Sequence, residues 1–101
     1  MQALEITFLE DEAGLRLAGE LDLHSAQQLK DAFAGIRSNG RQAKLDLSEL
    51  TFIDSSGLHA IAEVAGAPNG TGPVILEGAS ETMLRMFEIT NLTQHPGLEI
   101  R

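Results

Sequence analysis

The sequence predicts an α/β fold in which a small, mixed and mostly parallel β-sheet is flanked by helices. Apolar residues alternate at period two near residues 4–8, 15–17 and 43–47, which is typical of half-buried strands. Helical spacing of apolar residues appears in three other segments, and the predicted order is β-β-α-β-α-β-α-β. Strands separated by helices imply right-handed crossovers, so parallel pairing is expected after an opening hairpin.

Local signals set the boundaries in the first half of the chain. A turn at residues 11–14 joins the two strands of the hairpin. Ser25 followed by Gln28 predicts a capping box at the start of the first helix. That helix is expected to end near residues 38–40, where Gly40 allows the left-handed conformation that stops a helix.

In the second half, a polar cluster follows the central strand. Asp54-Ser55-Ser56-Gly57 stands before a short helix, which the glycines and prolines of residues 66–73 end. A buried strand at residues 74–76 comes next, then a helix capped by Ser80 and a last strand at 98–100. We expect Met83 and Phe87 in this last helix to lie in the core.

Composition limits the classes of function. The 101 residues carry a net charge of -8, from 15 acids and 7 bases, and include no cysteine. Such a surface repels nucleic acid and anionic membranes, so neither is an expected partner. No apolar run approaches the roughly 20 residues of a membrane span, and no signal peptide is recognisable. A single cytoplasmic domain over residues 1–101 is the expectation.

Two interpretations of the cluster at residues 54–57 follow from the residues themselves. Asp54 as the N-cap of a helix is sufficient reason for the pattern, and locally this structural interpretation is favoured. The alternative is that a serine hydroxyl at the positive end of the helix accepts a phosphoryl group.

Enzymatic and metal-binding roles have weaker support. A serine hydrolase needs a Gly-x-Ser-x-Gly elbow and a histidine base, and the elbow is absent. His59 is four residues after Ser55, so a contact is conceivable, but a surface position is expected. The three histidines show no metal-ligand spacing, and the glycines of residues 66–72 lack the ending of a P-loop. We expect no catalytic residue, metal or cofactor.

Four segments in order resemble the STAS domain family, and within it the anti-sigma factor antagonists (anti-anti-sigma factors). The segment around the serine cluster is similar to the family's phosphorylation-site signature. The other three are similar to the segments at its first helix, fourth strand and third helix. In chain order the four are residues 19–26, 45–58, 76–79 and 83–92.

The resemblance implies a STAS (SpoIIAA-like) fold and a partner switch. The unmodified antagonist would bind an anti-sigma factor that is also a serine kinase, and so release the sigma factor. The kinase would phosphorylate Ser55, ahead of Ser56, and a serine phosphatase would reverse the modification. ATP and Mg²⁺ would belong to the kinase. By the same resemblance, the partner-binding residues are Asp22, Ser25, Asp54, Ser56, Gly57 and His59.

Two departures from the family pattern bear on partner identity. His59 stands where the family often has a small residue, and residues 66–73 replace what is often a longer, more basic helix end. STAS domains also act outside sigma control. The alternative is therefore a STAS subunit of a lipid-transport ATPase complex or a stressosome-like scaffold. A monomer is expected.

Overall fold

A five-stranded sheet with spatial order β1-β2-β3-β4-β5 forms the framework of the protein. The computed structural model describes residues 3–9, 13–36, 42–66 and 72–101. β1 (Glu5–Phe8) pairs antiparallel with β2 (Gly14–Leu21), and the other strands continue in parallel. They are β3 (Lys44–Ile53), β4 (Val74–Glu77) and β5 (Leu98–Ile100). The predicted α/β class and mostly parallel sheet are confirmed.

Three α-helices alternate with the parallel strands, as predicted. They are α1 (Ala26–Ala34), α2 (Ser55–Ala65) and α3 (Glu81–Ile89). α2 ends at Ala65, directly before the predicted loop, and Ser80 caps α3 by accepting a hydrogen bond from the N–H of Met83 at 3.2 Å. Within the described residues, no helix has the length and apolar content needed to cross a membrane.

The boundaries differ from prediction at two places. α1 ends at Ala34 rather than near residues 38–40. Gly35 and Ile36 close the last turn with N–H bonds to the carbonyls three residues earlier, at 3.0 and 3.1 Å, and Ile36 then enters the core. A 3-10 helix at Leu92–Gln94 was not predicted. The hairpin tip at residues 10–12 and most of the loop after α2, residues 67–71, lie outside the described residues.

One face of the sheet carries the core. Each parallel crossover advances by one strand in the same direction, so right-handed connections place all three helices on that face. The helices contribute Phe33 and Phe87, which are 2 % and 0 % exposed, and Met83 is buried beside them as predicted. The strand residues buried against them include Leu15, Leu17, Leu45, Leu47 and Leu76.

The opposite face of the sheet is polar and is crossed by ion pairs. Arg16 and Asp46 are register partners on β2 and β3, with 3.1 Å between Nε and Oδ2, and Lys44 lies 3.6 Å from Glu77. Partial burial alone would raise the pKa of Asp46. The hydrogen bonds from Ser48 and Arg16 outweigh it, so the pKa lies below the ordinary value of 3.8.

Candidate functional site

The carboxyl ends of β2 and β3 bring two distant aspartates to one edge of the sheet. Leu21 and Ile53 are the last register partners of these parallel strands, and each is followed by an aspartate, Asp22 or Asp54. The N–H of Asp54 donates to the carbonyl of Leu21 at 3.3 Å. The segments around Asp22 and Asp54, which are far apart in the sequence, therefore lie side by side.

The polar cluster forms the first turn of α2. Asp54 has extended backbone angles, and its Oδ1 accepts a hydrogen bond from the N–H of Gly57 at 3.0 Å, which confirms the predicted N-cap. Ser55 is exposed and Ser56 is half-buried. Among the described residues, no hydrogen bond occupies either hydroxyl. The cap therefore holds the backbone while leaving the Ser55 side chain available.

Gly57 lets the helix start lie directly against the end of β2. A Cβ atom at this position would stand 2.5 Å from the carbonyl oxygen of Leu21 and 2.7 Å from Cγ1 of Ile53. Both distances are shorter than van der Waals contact allows. Any larger residue would push the first turn of α2, and Ser55 with it, away from the sheet.

Asp22 and Ser25 form a closed loop of hydrogen bonds and are 9 % and 6 % exposed. Oδ1 of Asp22 accepts from the N–H groups of His24 and Ser25, at 3.0 and 3.2 Å. The Ser25 hydroxyl accepts from the N–H of Asp22 at 3.0 Å and lies within donor range of the Glu20 carbonyl, also at 3.0 Å. These bonds fix the loop that leads into α1.

The predicted capping box at Ser25 and Gln28 is wrong. Ser25 is the N-cap residue of α1, but its side chain makes no hydrogen bond to the helix. Its hydroxyl is already used by the loop. The amide of Gln28 donates to the carbonyl of Leu4, the residue before β1, at 3.0 Å. Neither side chain caps α1.

A shallow groove of about 280 Å³ runs between α1 and the start of α2. It is lined by Leu23, Ala26, Lys30, Ser55, Ser56, His59 and Ala60. Three of the predicted site residues, Ser55, Ser56 and His59, thus share one surface. Asp22 and Ser25 line a second depression, of about 320 Å³, and Asp54 supports the groove from the helix cap.

Sequence reasoning missed Lys30 and Leu23. Leu23 is 70 % exposed, and its position as a lone apolar residue between Asp22 and His24 was the sequence pattern that could have indicated an exposed contact residue. Lys30 lies four residues after Ala26 and so shares a face of α1 with it. Neither the position of Leu23 nor that of Lys30 in the sequence indicates that α2 packs beside α1.

Lys30 and His59 both contact the carboxylate of Glu63. Nζ of Lys30 lies 2.9 Å from Oε2, and Nε2 of His59 lies 2.7 Å from Oε1. The hydrogen bond from Lys30 is the largest influence on the pKa of Glu63, which lies below the ordinary value of 4.5, and the charges of Lys30 and His59 act in the same direction. His59 is 74 % exposed, so its predicted surface position is confirmed.

The contacts of His59 bear on whether Ser55 could act as a nucleophile. Within the described part of the chain, no hydrogen bond joins His59 to Ser55, and His59 directs Nε2 to Glu63 instead. A serine nucleophile needs such a base to take its proton. Among the described residues, no group of three or more histidine, aspartate or glutamate side chains is placed to hold a metal ion.

The sequence matches the family model described as Mlab, STAS domain, over residues 5–100. The chain belongs to the STAS domain family. This STAS chain is also similar to the anti-sigma-B factor antagonist of Bacillus subtilis (strain 168), at 29 % identity over 84 residues, which cover 82 % of the chain and 77 % of the relative. Its counterpart from Listeria monocytogenes is 29 % identical over 85 residues, covering 82 % and 75 %.

A solved structure supports the same fold. The anti-sigma factor antagonist SpoIIAA in its unphosphorylated form has a TM-score of 0.64 and 22 % identity to this STAS chain, covering 98 % of it and 88 % of SpoIIAA. At this identity the similarity shows the fold alone. The predicted STAS (SpoIIAA-like) fold is confirmed.

Proposed function

We propose that this STAS chain is an anti-sigma factor antagonist, a cytoplasmic regulatory protein without enzymatic activity of its own. Its unmodified form binds an anti-sigma factor that is also a serine kinase, and binding releases the sigma factor. Phosphorylation of Ser55 ends the binding, and a serine phosphatase restores it. The names of the bacterial relatives support the general role, and the geometry at residues 54–57 supports the switch.

The accessible Ser55 hydroxyl on a fixed backbone is the observation that carries the proposal. Asp54 caps the helix, and Gly57 seats it against Leu21, so the neighbouring groups hold the turn without using Ser55. A kinase can therefore reach the hydroxyl without unfolding the helix start. Ser56 is half-buried and is the less accessible of the two serines.

A phosphate at Ser55 supplies enough energy to act as a switch. It adds about -1.5 to -2 charges at pH 7 at a surface position where the unmodified protein has a neutral hydroxyl. A thousandfold loss of affinity corresponds to about 4 kcal/mol, and one buried, poorly paired charge at an interface is sufficient for that. No refolding of the STAS domain is required.

The direct test places the protein with ATP and candidate kinases from its own organism and locates the phosphate by mass spectrometry. Binding to the kinase is then measured for the wild type, Ser55→Ala and Ser55→Asp, and phosphorylation is also measured in Ser56→Ala to separate the two serines. We expect Ser55→Ala to bind but to resist inactivation, and Ser55→Asp to bind weakly. Equal affinities for all of these proteins would refute the switch, and phosphate on Ser56 would move it to the neighbouring residue.

An exposed apolar groove favours a second candidate, a STAS subunit held permanently in a larger complex such as a lipid-transport ATPase or a scaffold. Phe52, which is 47 % exposed, lines a groove of about 390 Å³ together with Met83 and Met86 of α3. A permanent subunit would aggregate or remain bound when isolated, whereas a switch protein should sediment as a stable monomer. Sedimentation velocity of the purified protein separates the two.

A further inference from the structure

Two basic side chains face the groove at Ser55, and one carboxylate holds both. Ser55, His59 and Glu63 follow each other at intervals of four residues, so they lie on one face of α2. Lys30 reaches the same face from α1. Lys30 and His59 therefore lie at the end of the groove that is farther from the start of α2, where both contact Glu63.

We propose that Lys30 and His59 form a receiving site for a phosphate on Ser55, and that phosphorylation transfers them from Glu63 to the phosphate. The inference deepens the proposed function and rests on it for the identity of Ser55 as the modified residue. The kinase step forms the Oγ–P bond of Ser55 and breaks the bond between the γ-phosphorus of ATP and ADP, with the hydroxyl proton released. The exchange of contacts that follows makes and breaks no covalent bond. The modification changes which anion the two basic groups contact.

Charge and exposure both favour the exchange. A phosphate carries up to two negative charges and three acceptor oxygens, whereas Glu63 carries one charge and two oxygens. The contacts to be given up are solvent-exposed and correspondingly weak, since Lys30 and Glu63 are 31 % and 41 % exposed. Side chains four residues apart on a helix are neighbours, so His59 needs only a rotamer change to face Ser55.

The exchange also depends on the charge beside Ser55 and changes the contact between α1 and α2. Asp54 stands beside the phosphorylated residue and repels the phosphate, which increases the need for nearby cations. Because Lys30 lies on α1, its transfer also removes the ion pair that joins α1 to Glu63 of α2. Phosphorylation would thus alter the surface between the two helices, beyond Ser55 itself.

The test uses the full chain with phosphoserine incorporated genetically at position 55, so that it needs no kinase. Phosphorus-31 NMR measures the second pKa of the phosphate in the parent protein and in Lys30→Met, His59→Gln and Glu63→Gln. A positive charge or an N–H donor beside the phosphate favours the dianion, so Lys30→Met and His59→Gln should each raise this pKa, by on the order of half a pH unit. Glu63→Gln should lower it, because Lys30 and His59 are then free to contact the phosphate.

Lys44→Met is the matched control. Lys44 begins β3 while Ser55 follows its end, a separation of about 30 Å and several Debye lengths. Its removal should leave the phosphate pKa unchanged, and Lys30→Arg should restore the parent value. Equal phosphate pKa values in the parent and both cation variants would overturn the inference. Circular dichroism checks that each variant is folded, and the substituted side chains are all exposed or partly exposed.

The two proposals fail in different ways. If the phosphorylated protein still binds the anti-sigma factor while the titration separates the variants, the switch is refuted and the charge exchange stands. If phosphorylation ends binding while the phosphate pKa is the same in every variant, the exchange is refuted and the switch stands.

Discussion

Replacing Gly57 by alanine tests how the start of α2 is positioned. The added Cβ would lie 2.5 Å from a backbone carbonyl oxygen and 2.7 Å from Cγ1 of Ile53. The carbonyl belongs to Leu21 in a paired strand and cannot turn aside. The first turn of α2 must therefore move outward by several tenths of an ångström, which stretches the 3.3 Å hydrogen bond from Asp54 to the same carbonyl.

The expected loss in the free energy of unfolding is about 1–2 kcal/mol. Inserting a carbon into a packed contact, with the side-chain and backbone shifts that it forces, costs about 1–3 kcal/mol. The gain from replacing glycine in a helix returns about 0.5–1 kcal/mol of this. For a chain of this size, the net change corresponds to a fall of about 5–15 °C in the melting temperature.

Gly66→Ala is the matched control at the other end of α2. A Cβ there meets only ordinary contacts, at 3.7 and 3.8 Å, and the backbone is in the right-handed region. It should leave the stability unchanged or increase it by about 0.4–1 kcal/mol. Urea unfolding followed by circular dichroism measures both variants. If Gly57→Ala is as stable as Gly66→Ala, the close approach to β2 does not constrain the site as argued.

Substitutions at three further positions test the contribution of polar side chains by urea unfolding. Ser25→Ala should lower the free energy of unfolding by about 1–3 kcal/mol, because the buried N–H of Asp22 loses its acceptor; an unchanged midpoint would contradict the closed loop. Asp54→Ala should cost about 1 kcal/mol and Asp54→Asn much less, since either an amide or a carboxylate oxygen can cap the helix. Equal losses would assign the effect to charge. Asp46→Asn should destabilise the protein at pH 7, and the loss should shrink as the pH is lowered below 3.8, because the contribution of a carboxylate with a lowered pKa disappears as the pH falls through the folded-state value. A loss that stays constant as the pH falls would exclude the ion pair with Arg16 as its source.

Features that depend on nearby residues were predictable from the sequence. The alternation in β2 and β3, the Asp54 cap and the core positions of Met83 and Phe87 each follow from a repeat or a short local pattern. The Ser25 capping box failed although its pattern is equally local. Its hydroxyl contacts the N–H of Asp22 and the carbonyl of Glu20 near the end of β2 instead, and so is not used to cap the helix.

The missed features depend on tertiary packing. α1 ends before Ile36, and Ile36 is buried in the core. This packing places the end of the helix earlier than Gly40, where the sequence predicted it. The contact between Lys30 and Glu63 requires α1 and α2 to lie side by side with a particular offset, and no sequence period encodes that offset. The 3-10 helix at Leu92–Gln94 is too short to produce a repeat.

Capping the first turn of α2 and leaving a serine hydroxyl accessible are different demands, and the structure meets them with different residues. Asp54 and Gly57 fix the backbone through a hydrogen bond and a close contact, and neither involves the Ser55 hydroxyl. A phosphate on Ser55 would therefore leave the contacts that fix the backbone of this turn intact. Under the proposed function, its effect must be carried by its charge and by the side chains that respond to it. Lys30 and His59 are the basic side chains lining this groove, and both now contact Glu63, so the response to phosphorylation should begin with those contacts.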